Sequence, residues 1–150
     1  MTPALQILPS LIVVMAGVSV AFQQILNANL RAELGSPWWA GFVSYLVGMI
    51  VMLAVAMFAP GPRPSLSAIS GSSWISWTGG FFGAVFIGIA IIMVPRLGAA
   101  TVLALIVVGQ MVGSIAFDHF GLLGLQQQPA NLARLAGAGM LISGVVLIRM

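Results

Sequence analysis

The sequence predicts an all-α fold, an integral membrane bundle of five transmembrane helices formed by a single domain over residues 1–150. Of the 150 residues, 61% are hydrophobic and only 5% are charged, whereas soluble domains carry about a quarter charged residues. A surface this apolar would expose large adhesive patches in water, and the lipid bilayer is the solvent that suits it. The apolar runs are continuous and about twice as long as a barrel strand, which excludes a transmembrane β-barrel.

Five apolar runs are long enough, or nearly so, to cross a hydrocarbon core of about 30 Å, which takes about 20 residues. Their approximate bounds are 5–30, 38–59, 74–94, 98–117 and 132–148. Prolines at positions 60, 62 and 64 end the second run, because proline cannot continue a helix. Residues 95–98 predict a tight turn, and residues 118–131 are the longest polar interruption. No lysine or arginine precedes the first run, so we do not expect a cleaved signal peptide.

The ionisable residues are too few and too scattered for most other functions. The chain has five arginines, no lysine and no cysteine, and its acidic and histidine residues are Glu33, Asp118 and His119. Nucleic-acid binding needs a clustered basic face, and a metal site needs about three or four ligands. No phosphate-binding loop is present either. We therefore expect no enzyme activity, no cofactor, no metal and no nucleic-acid partner.

The arginines are almost evenly divided between the two membrane faces. If five spans alternate, Arg63 and Arg134 share one side, and Arg31, Arg96 and Arg149 share the other. The positive-inside rule then gives almost no bias. Either weak cues or a partner set one orientation, or the chain inserts both ways and forms an antiparallel homodimer. An odd number of spans favours pairing, because transporters are commonly built from two inverted halves.

The segment Gly109–Gly121, which reads GQMVGSIAFDHFG, resembles the Gly-Gln…Asp-His-Phe-Gly segment of the short, five-helix YdcZ-like family of the drug/metabolite transporter superfamily. Further matching pieces include Gln23 with Asn27, Gly35-Ser36-Pro37, Trp77 with Gly79, Pro95-Arg96-Leu97-Gly98 and Arg134-Leu135-Ala136-Gly137. The resemblance implies a half-transporter in a bacterial inner membrane, with relatives made of two five-helix halves, fused or paired. Small multidrug-resistance transporters, which are more distant, carry a glutamate in their first helix. Here no carboxylate precedes Glu33, so their mechanism does not carry over.

Polar residues in the first run recur every four positions, at Ser19, Gln23, Asn27 and Arg31. This spacing predicts one polar helix face, which would line a substrate pathway. The alternative is hydrogen bonding between helices, worth about 0.6–2 kcal/mol per contact. Polar residues within spans are costly and often functional, and four in a row favour the pathway. Gln24 and Asn29 fall off this face and are weaker candidates.

The fourth run repeats the spacing with Gln110, Ser114 and Asp118. We expect Gln110, near mid-span, to face Gln23 and Asn27 and complete a substrate site, although a hydrogen bond to a neighbouring carbonyl is equally compatible with its position. Ser44 and Tyr45 in the second run could add further polar groups to this site.

Asp118 and His119 are the one adjacent acid–base pair in the sequence. A carboxylate and an imidazole could exchange protons near neutral pH and couple transport to protons. Their position at the end of a span favours a structural role instead, such as ordering the loop or an ion pair with an arginine on the same face, Arg63 or Arg134. Glu33 lies near Arg31, and a local ion pair is expected there.

The leading functional prediction is a secondary transporter, an exporter or exchanger of a small organic solute, working by alternating access as a dimer in the lipid bilayer. The alternative is a non-transporting membrane subunit or scaffold, and a pore is disfavoured because pores expose a more continuous polar face. In a transporter, Gln23, Asn27 and Gln110 should converge on a cavity near the midplane. In a scaffold they should be hydrogen-bonded with no cavity.

Overall fold

The computed structural model describes residues 3–150, with side chains for residues 9–148 and 150. Throughout this range the regular structure is helical, and no strand occurs in it. The elements are α1 (Pro3–Leu34), α2 (Pro37–Phe58), α3 (Leu66–Ser70), α4 (Gly79–Leu97), α5 (Ala99–Phe120) and α6 (Leu132–Arg149), with 3₁₀ turns at Trp74–Thr78 and Leu122–Gly124.

Four helical stretches of the described residues are long and apolar enough to cross a membrane. They are Pro9–Leu34, Pro37–Phe58, Trp74–Leu97 and Ala99–Phe120. A fifth, shorter apolar helix covers Leu132–Ile148, which at about 1.5 Å per residue is about 26 Å long. The prediction of an all-helical membrane bundle is confirmed. That the five spans form one domain stays a prediction.

Helix α4 ends later than its apolar run predicts. The run stops at residue 94 and the following Pro95 predicts a turn, but the helix continues through Pro95 to Leu97. Proline has no backbone N–H, so it leaves the carbonyl four residues earlier without its helical partner. The turn itself falls on Gly98, whose φ of +82° is a conformation that glycine adopts readily.

Helix α5 also runs past the predicted end of its span. It continues to Phe120, and Gly121 with φ +60° closes it by donating its N–H to the carbonyl of Asp118, a left-handed glycine end of the common kind. Asp118 and His119 therefore lie in the last helical turn. The next helix, α6, is capped at its N-terminus by Asn131, whose side chain accepts the N–H of Arg134 at 2.9 Å.

The chain divides into two compact units, Met1–Pro95 and Arg96–Met150. In the first unit, a small apolar core contains Ala40 of α2 with Ile87 and Ile91 of α4, and Leu30 and Phe86 pack against it. At Gly41 of α2, an added Cβ would lie 3.6 Å from Cδ1 of Ile91. The two helices therefore meet at a glycine, which allows close approach. The second unit consists of α5 and α6 with the loop that joins them.

Most large apolar side chains point outward, as expected for a protein whose solvent is lipid. Along α2, nearly every residue after Tyr45 is exposed. All four tryptophans are exposed as well, at 62–76% of their full area. They lie at the start of α2 and in the 3₁₀ turn before α4, positions consistent with the headgroup level that tryptophan favours.

A hydrogen bond from Arg31 resolves the backbone problem that Pro95 creates. Pro95 has no N–H, so the carbonyl of Ile91 loses its helical partner. Nη1 of Arg31 donates to this carbonyl at 2.9 Å and to that of Ile92 at 3.2 Å. The expected ion pair between Arg31 and Glu33 does not form among the described residues, since their one ion pair joins Arg134 and Asp118. Arg31 instead ties α1 to the last turns of α4.

This arrangement predicts that the contribution of Arg31 to the free energy of unfolding depends on Pro95. Arg31→Ala leaves the Ile91 carbonyl without a donor and should lower the free energy of unfolding by about 1–3 kcal/mol. In a Pro95→Ala background, the restored backbone N–H can donate to the Ile91 carbonyl, so the same substitution should cost less than half as much. Both costs are measured by denaturant titration of the purified protein in detergent micelles. Arg96→Ala, which removes an exposed arginine nearby, is the control. Equal losses in the two backgrounds would contradict the dependence.

Candidate functional site

A groove of about 400 Å³ lies in the first unit. Its polar lining consists of Gln23 from α1 with Ser44 and Tyr45 from α2. The apolar lining residues are Gly48, Met49, Met52, Phe86 and Ile87. An apolar pocket of this size with a few polar groups has the composition of ordinary small-molecule sites.

The walls of the groove follow from the spacing of residues along α2. Ser44, Gly48 and Met52 are four residues apart and so lie along one side of the helix. Tyr45 crosses toward α4, where a Cβ added at Gly83 would lie only 2.5 Å from the Tyr45 hydroxyl oxygen. Glycine at this position therefore makes room for the tyrosine. The methionines supply flexible surface that can adapt to different shapes.

The polar stripe predicted on α1 is divided between two environments. Ser19 and Gln23 are exposed, Asn27 is buried and Arg31 is half-buried. Residues four apart are rotated by about 40° from one another, because a helix has 3.6 residues per turn. Over twelve residues this drift reaches about a third of a turn, so the stripe cannot stay on one face.

Gln24, which the four-residue spacing sets aside, is the most buried polar residue described. Its side chain is 0% exposed and that of Asn27 is 5% exposed. Both side-chain polar atoms of Gln24 and Nδ2 of Asn27 lack a hydrogen-bond partner in the described part of the chain. Leaving a buried polar group unpaired costs about 1–3 kcal/mol. Gln24, Asn27 and the half-buried Arg31 are three and four residues apart and so lie on one side of α1. We call this side the buried face of α1.

The second unit has a groove of its own, about 370 Å³ in volume, between α5 and α6. The predicted residues Ser114 and Asp118 line it, together with Arg134. The other lining residues are Met111, Ile115, Gly137, Ala138 and Leu141. Gln110 is exposed on α5. Its convergence with Gln23 and Asn27 stays a prediction.

Asp118 holds the loop between α5 and α6 through both its side chain and its backbone. Its carboxylate accepts a hydrogen bond from Nη2 of Arg134 at 2.7 Å, and its carbonyl accepts the N–H of Gln128 at 2.8 Å. Nη1 of Arg134 also donates to the Gln128 carbonyl at 3.2 Å. One arginine thus links the end of α5, the loop and the start of α6.

His119 contributes to the same loop. Its Nδ1 accepts the backbone N–H of Ala130 at 3.0 Å, so the neutral ring carries its proton on Nε2. Its carbonyl accepts the side-chain amide of Gln127 at 2.9 Å. These contacts match the loop-ordering alternative for Asp118 and His119. A role in proton coupling stays a prediction.

The sequence gives only a weak signal for Tyr45 of the first groove and for the buried Gln24 of α1. Tyr45 is the one tyrosine of the sequence and one of five aromatic residues in the second apolar run, where its hydroxyl marks it as a possible polar contributor. Gln24 could have been found by testing three- and four-residue spacings together, since Gln24, Asn27 and Arg31 follow the helical period. No group of three histidine or acidic side chains that could hold a metal occurs among the described residues.

The apolar helices define a helical, multi-pass membrane protein. The family model described as "Putative inner membrane exporter, YdcZ" matches residues 8–147. The chain belongs to this YdcZ family of the drug/metabolite transporter type, as the resemblance implied. It is therefore a multi-pass protein of the bacterial inner membrane, and a transporter rather than an enzyme.

The chain is also similar to a curated relative over most of its length. It is 25% identical over 133 residues to "Inner membrane protein YdcZ" of Escherichia coli (strain K12), and the alignment covers 89% of each chain. No solved structure matches the chain significantly.

The loop contacts predict that Asp118 and Arg134 order residues 121–131. Asp118→Asn removes the charge from a pair whose side chains are about one-third exposed, so the loss should be at most about 1 kcal/mol. Hydrogen exchange of the loop amides should then accelerate by up to roughly fivefold. Arg134→Lys should have a similar effect, because one ammonium group cannot reproduce the forked contacts of arginine. Gln126→Ala, in the same loop, is the control. Unchanged exchange together with lost pH dependence of transport would instead favour proton coupling.

Proposed function

We propose that this chain is a secondary transporter that exports or exchanges a small organic solute, which binds in the groove of the first unit. The observation that carries the proposal is the meeting of Gln23 and Ser44 at this groove. They lie on different helices, and each is a polar side chain within an apolar span. With Tyr45 they give the solute hydrogen-bonding groups beside an apolar wall.

The chemistry of the groove suits a solute that is partly apolar. The amide of Gln23 can donate and accept hydrogen bonds, as can the hydroxyls of Ser44 and Tyr45. Around them, Met49, Met52 and Phe86 offer polarizable and aromatic surface. Methionine-lined surfaces accept ligands of varied shape, which suits a site that must both bind its solute and release it.

The transporter acts as a dimer by alternating access. Five helices correspond to one half of a transporter built from two inverted halves. Two copies in opposite orientations would supply both halves. The arginines are divided three against two between the membrane faces, so the positive-inside rule favours neither orientation strongly. The partner is then a second, antiparallel copy or a homologous half-length chain.

Proton coupling would involve Asp118 and His119 in this scheme. The carboxylate is engaged by Arg134 and the imidazole by the N–H of Ala130. A proton taken up by Asp118 would weaken the contact with Arg134 and loosen the loop, which gives a physical route from protonation to movement.

A scaffold or subunit that does not transport is the alternative. A scaffold would require the polar groups of its spans to be used in packing. Gln23 and Ser44 instead border open space, which favours transport.

The groove predicts which substitutions stop transport. Gln23→Ala and Ser44→Ala should lower solute efflux from preloaded proteoliposomes at least about tenfold, because each removes hydrogen bonds to the solute. Gln110→Ala tests the predicted convergence and should have the same effect. The measurement uses labelled organic acids, amides and amines, with protein-free liposomes correcting for leakage. Asn29→Ala, an exposed amide on the same helix, should leave efflux unchanged. Full efflux in the Gln23 and Ser44 variants would refute the groove as the site.

The antiparallel dimer predicts that the C-terminus is found on both sides of the membrane. Fusions of the full chain to a reporter active only in the cytoplasm and to one active only in the periplasm should both give signal. Adding two lysines after Met150 should shift the signal toward the cytoplasmic reporter, because positive charge biases orientation. Signal from only one reporter in the unmodified chain would exclude the antiparallel homodimer and favour a separate partner.

A further inference from the structure

We propose that Gln24, Asn27 and Arg31 form a recognition site for a small organic anion, binding the carboxylate of the transported solute. The inference rests on the proposed transport function and adds the charge class of the solute. It concerns the buried face of α1, where Gln24 directly follows the groove residue Gln23, and the carboxylate is bound at this face while the rest of the solute occupies the groove.

The buried amides lack the partners that such groups normally have. Gln24 is 0% exposed and Asn27 is 5% exposed, yet neither side-chain NH₂ group donates a hydrogen bond within the described residues. More than about 90% of buried polar groups in proteins are hydrogen-bonded. Two unpaired amides on adjacent turns of one helix therefore offer free donors to a guest that accepts hydrogen bonds.

Arg31 lies on the same face and brings positive charge to it. It follows Asn27 by four residues, and long side chains on helices lean toward the preceding turn, which here contains Asn27. Nη1 is held by the carbonyls of Ile91 and Ile92, which fixes the guanidinium. The edge formed by Nε and Nη2 makes no hydrogen bond within the described chain and can pair with a carboxylate in the bidentate manner that arginine favours.

The charge of this face selects among solutes. Residues 9–32 contain no carboxylate, and the exposed Glu33 does not pair with Arg31 among the described residues. A cationic solute would find no opposite charge there and would be repelled by Arg31. A neutral solute would leave the guanidinium without a counter-charge. An anion accepts hydrogen bonds from both amides and neutralises Arg31, and Oε1 of Gln24 remains to accept a donor next to the carboxylate.

Three compounds with the same phenyl ring and hydroxyl group test the charge class. Mandelate is the anion, mandelamide its neutral counterpart and 2-amino-1-phenylethanol a cation. Titrated into the full-length protein in nanodiscs, mandelate should bind, and the other two should bind at least about tenfold more weakly. Gln24→Leu and Asn27→Leu should each weaken mandelate binding at least about tenfold, whereas Asn29→Leu should leave it unchanged. Equal binding of all three compounds, or no binding of mandelate, would overturn the site.

A tethered carboxylate tests the site independently of any ligand. Asn27→Asp keeps the shape of the side chain and adds the proposed guest charge beside Arg31. It should abolish mandelate binding while keeping or raising the melting temperature. The same substitution in an Arg31→Gln background should lower the melting temperature. If Asn27→Asp is as destabilising with Arg31 as without it, no anion site exists at this face.

Failure of this site and failure of the transport function are separable. Efflux of the amide or the amine, lost on Gln23→Ala, would support transport while overturning the anion site. Mandelate binding without efflux of any of the three compounds would support the site and refute transport.

Discussion

The absence of water from the hydrocarbon core governs this structure, because a backbone carbonyl that loses its partner there has no solvent to replace it. Pro95 creates such a carbonyl at Ile91, and Arg31 of another helix provides the donor. The contact allows α4 to continue to Leu97, which sets where the connection to α5 begins. It also holds a guanidinium against α4 and fixes the buried face of α1. One missing N–H thus leaves a carbonyl of α4 to which an arginine of α1 donates, and this hydrogen bond joins the two helices.

The fold was predictable from the sequence because lipid imposes a simple requirement on chain composition. Apolar runs of sufficient length gave all five long helices, and the proline cluster at residues 60–64 ended α2 as expected. The ends of α4 and α5 were less predictable. The donor for the carbonyl that Pro95 leaves without a helical partner is Arg31, which is sixty residues from Ile91. Local sequence contains no information about so distant a donor.

The sequence predicts part of the lining of the groove in the first unit, and the rest depends on helix geometry and packing. Gln23 and Ser44 are recognisable in the sequence as polar groups in apolar spans, and both line the same groove. A strict four-residue spacing does not include Gln24 in the polar face of α1, because it ignores the rotation between residues four apart in a helix of 3.6 residues per turn. Tyr45 fits beside α4 because Gly83 has no side chain at that point. This contact depends on how α2 and α4 pack. The polar groups of the two units also differ in use. Those of α1 remain unpaired or border open space, whereas Asp118 and His119 are engaged by the loop they hold.

The short α6 has a consequence for the surrounding lipid. A helix about 26 Å long is a few ångströms below the thickness of a typical hydrocarbon core. Such hydrophobic mismatch is relieved by local thinning of the bilayer at a cost of a fraction of a kcal/mol per ångström. The annulus of lipid beside α6 should therefore favour shorter acyl chains. A change in the acyl-chain length of the membrane should therefore alter the hydrophobic mismatch mainly at α6, and not equally around the whole protein.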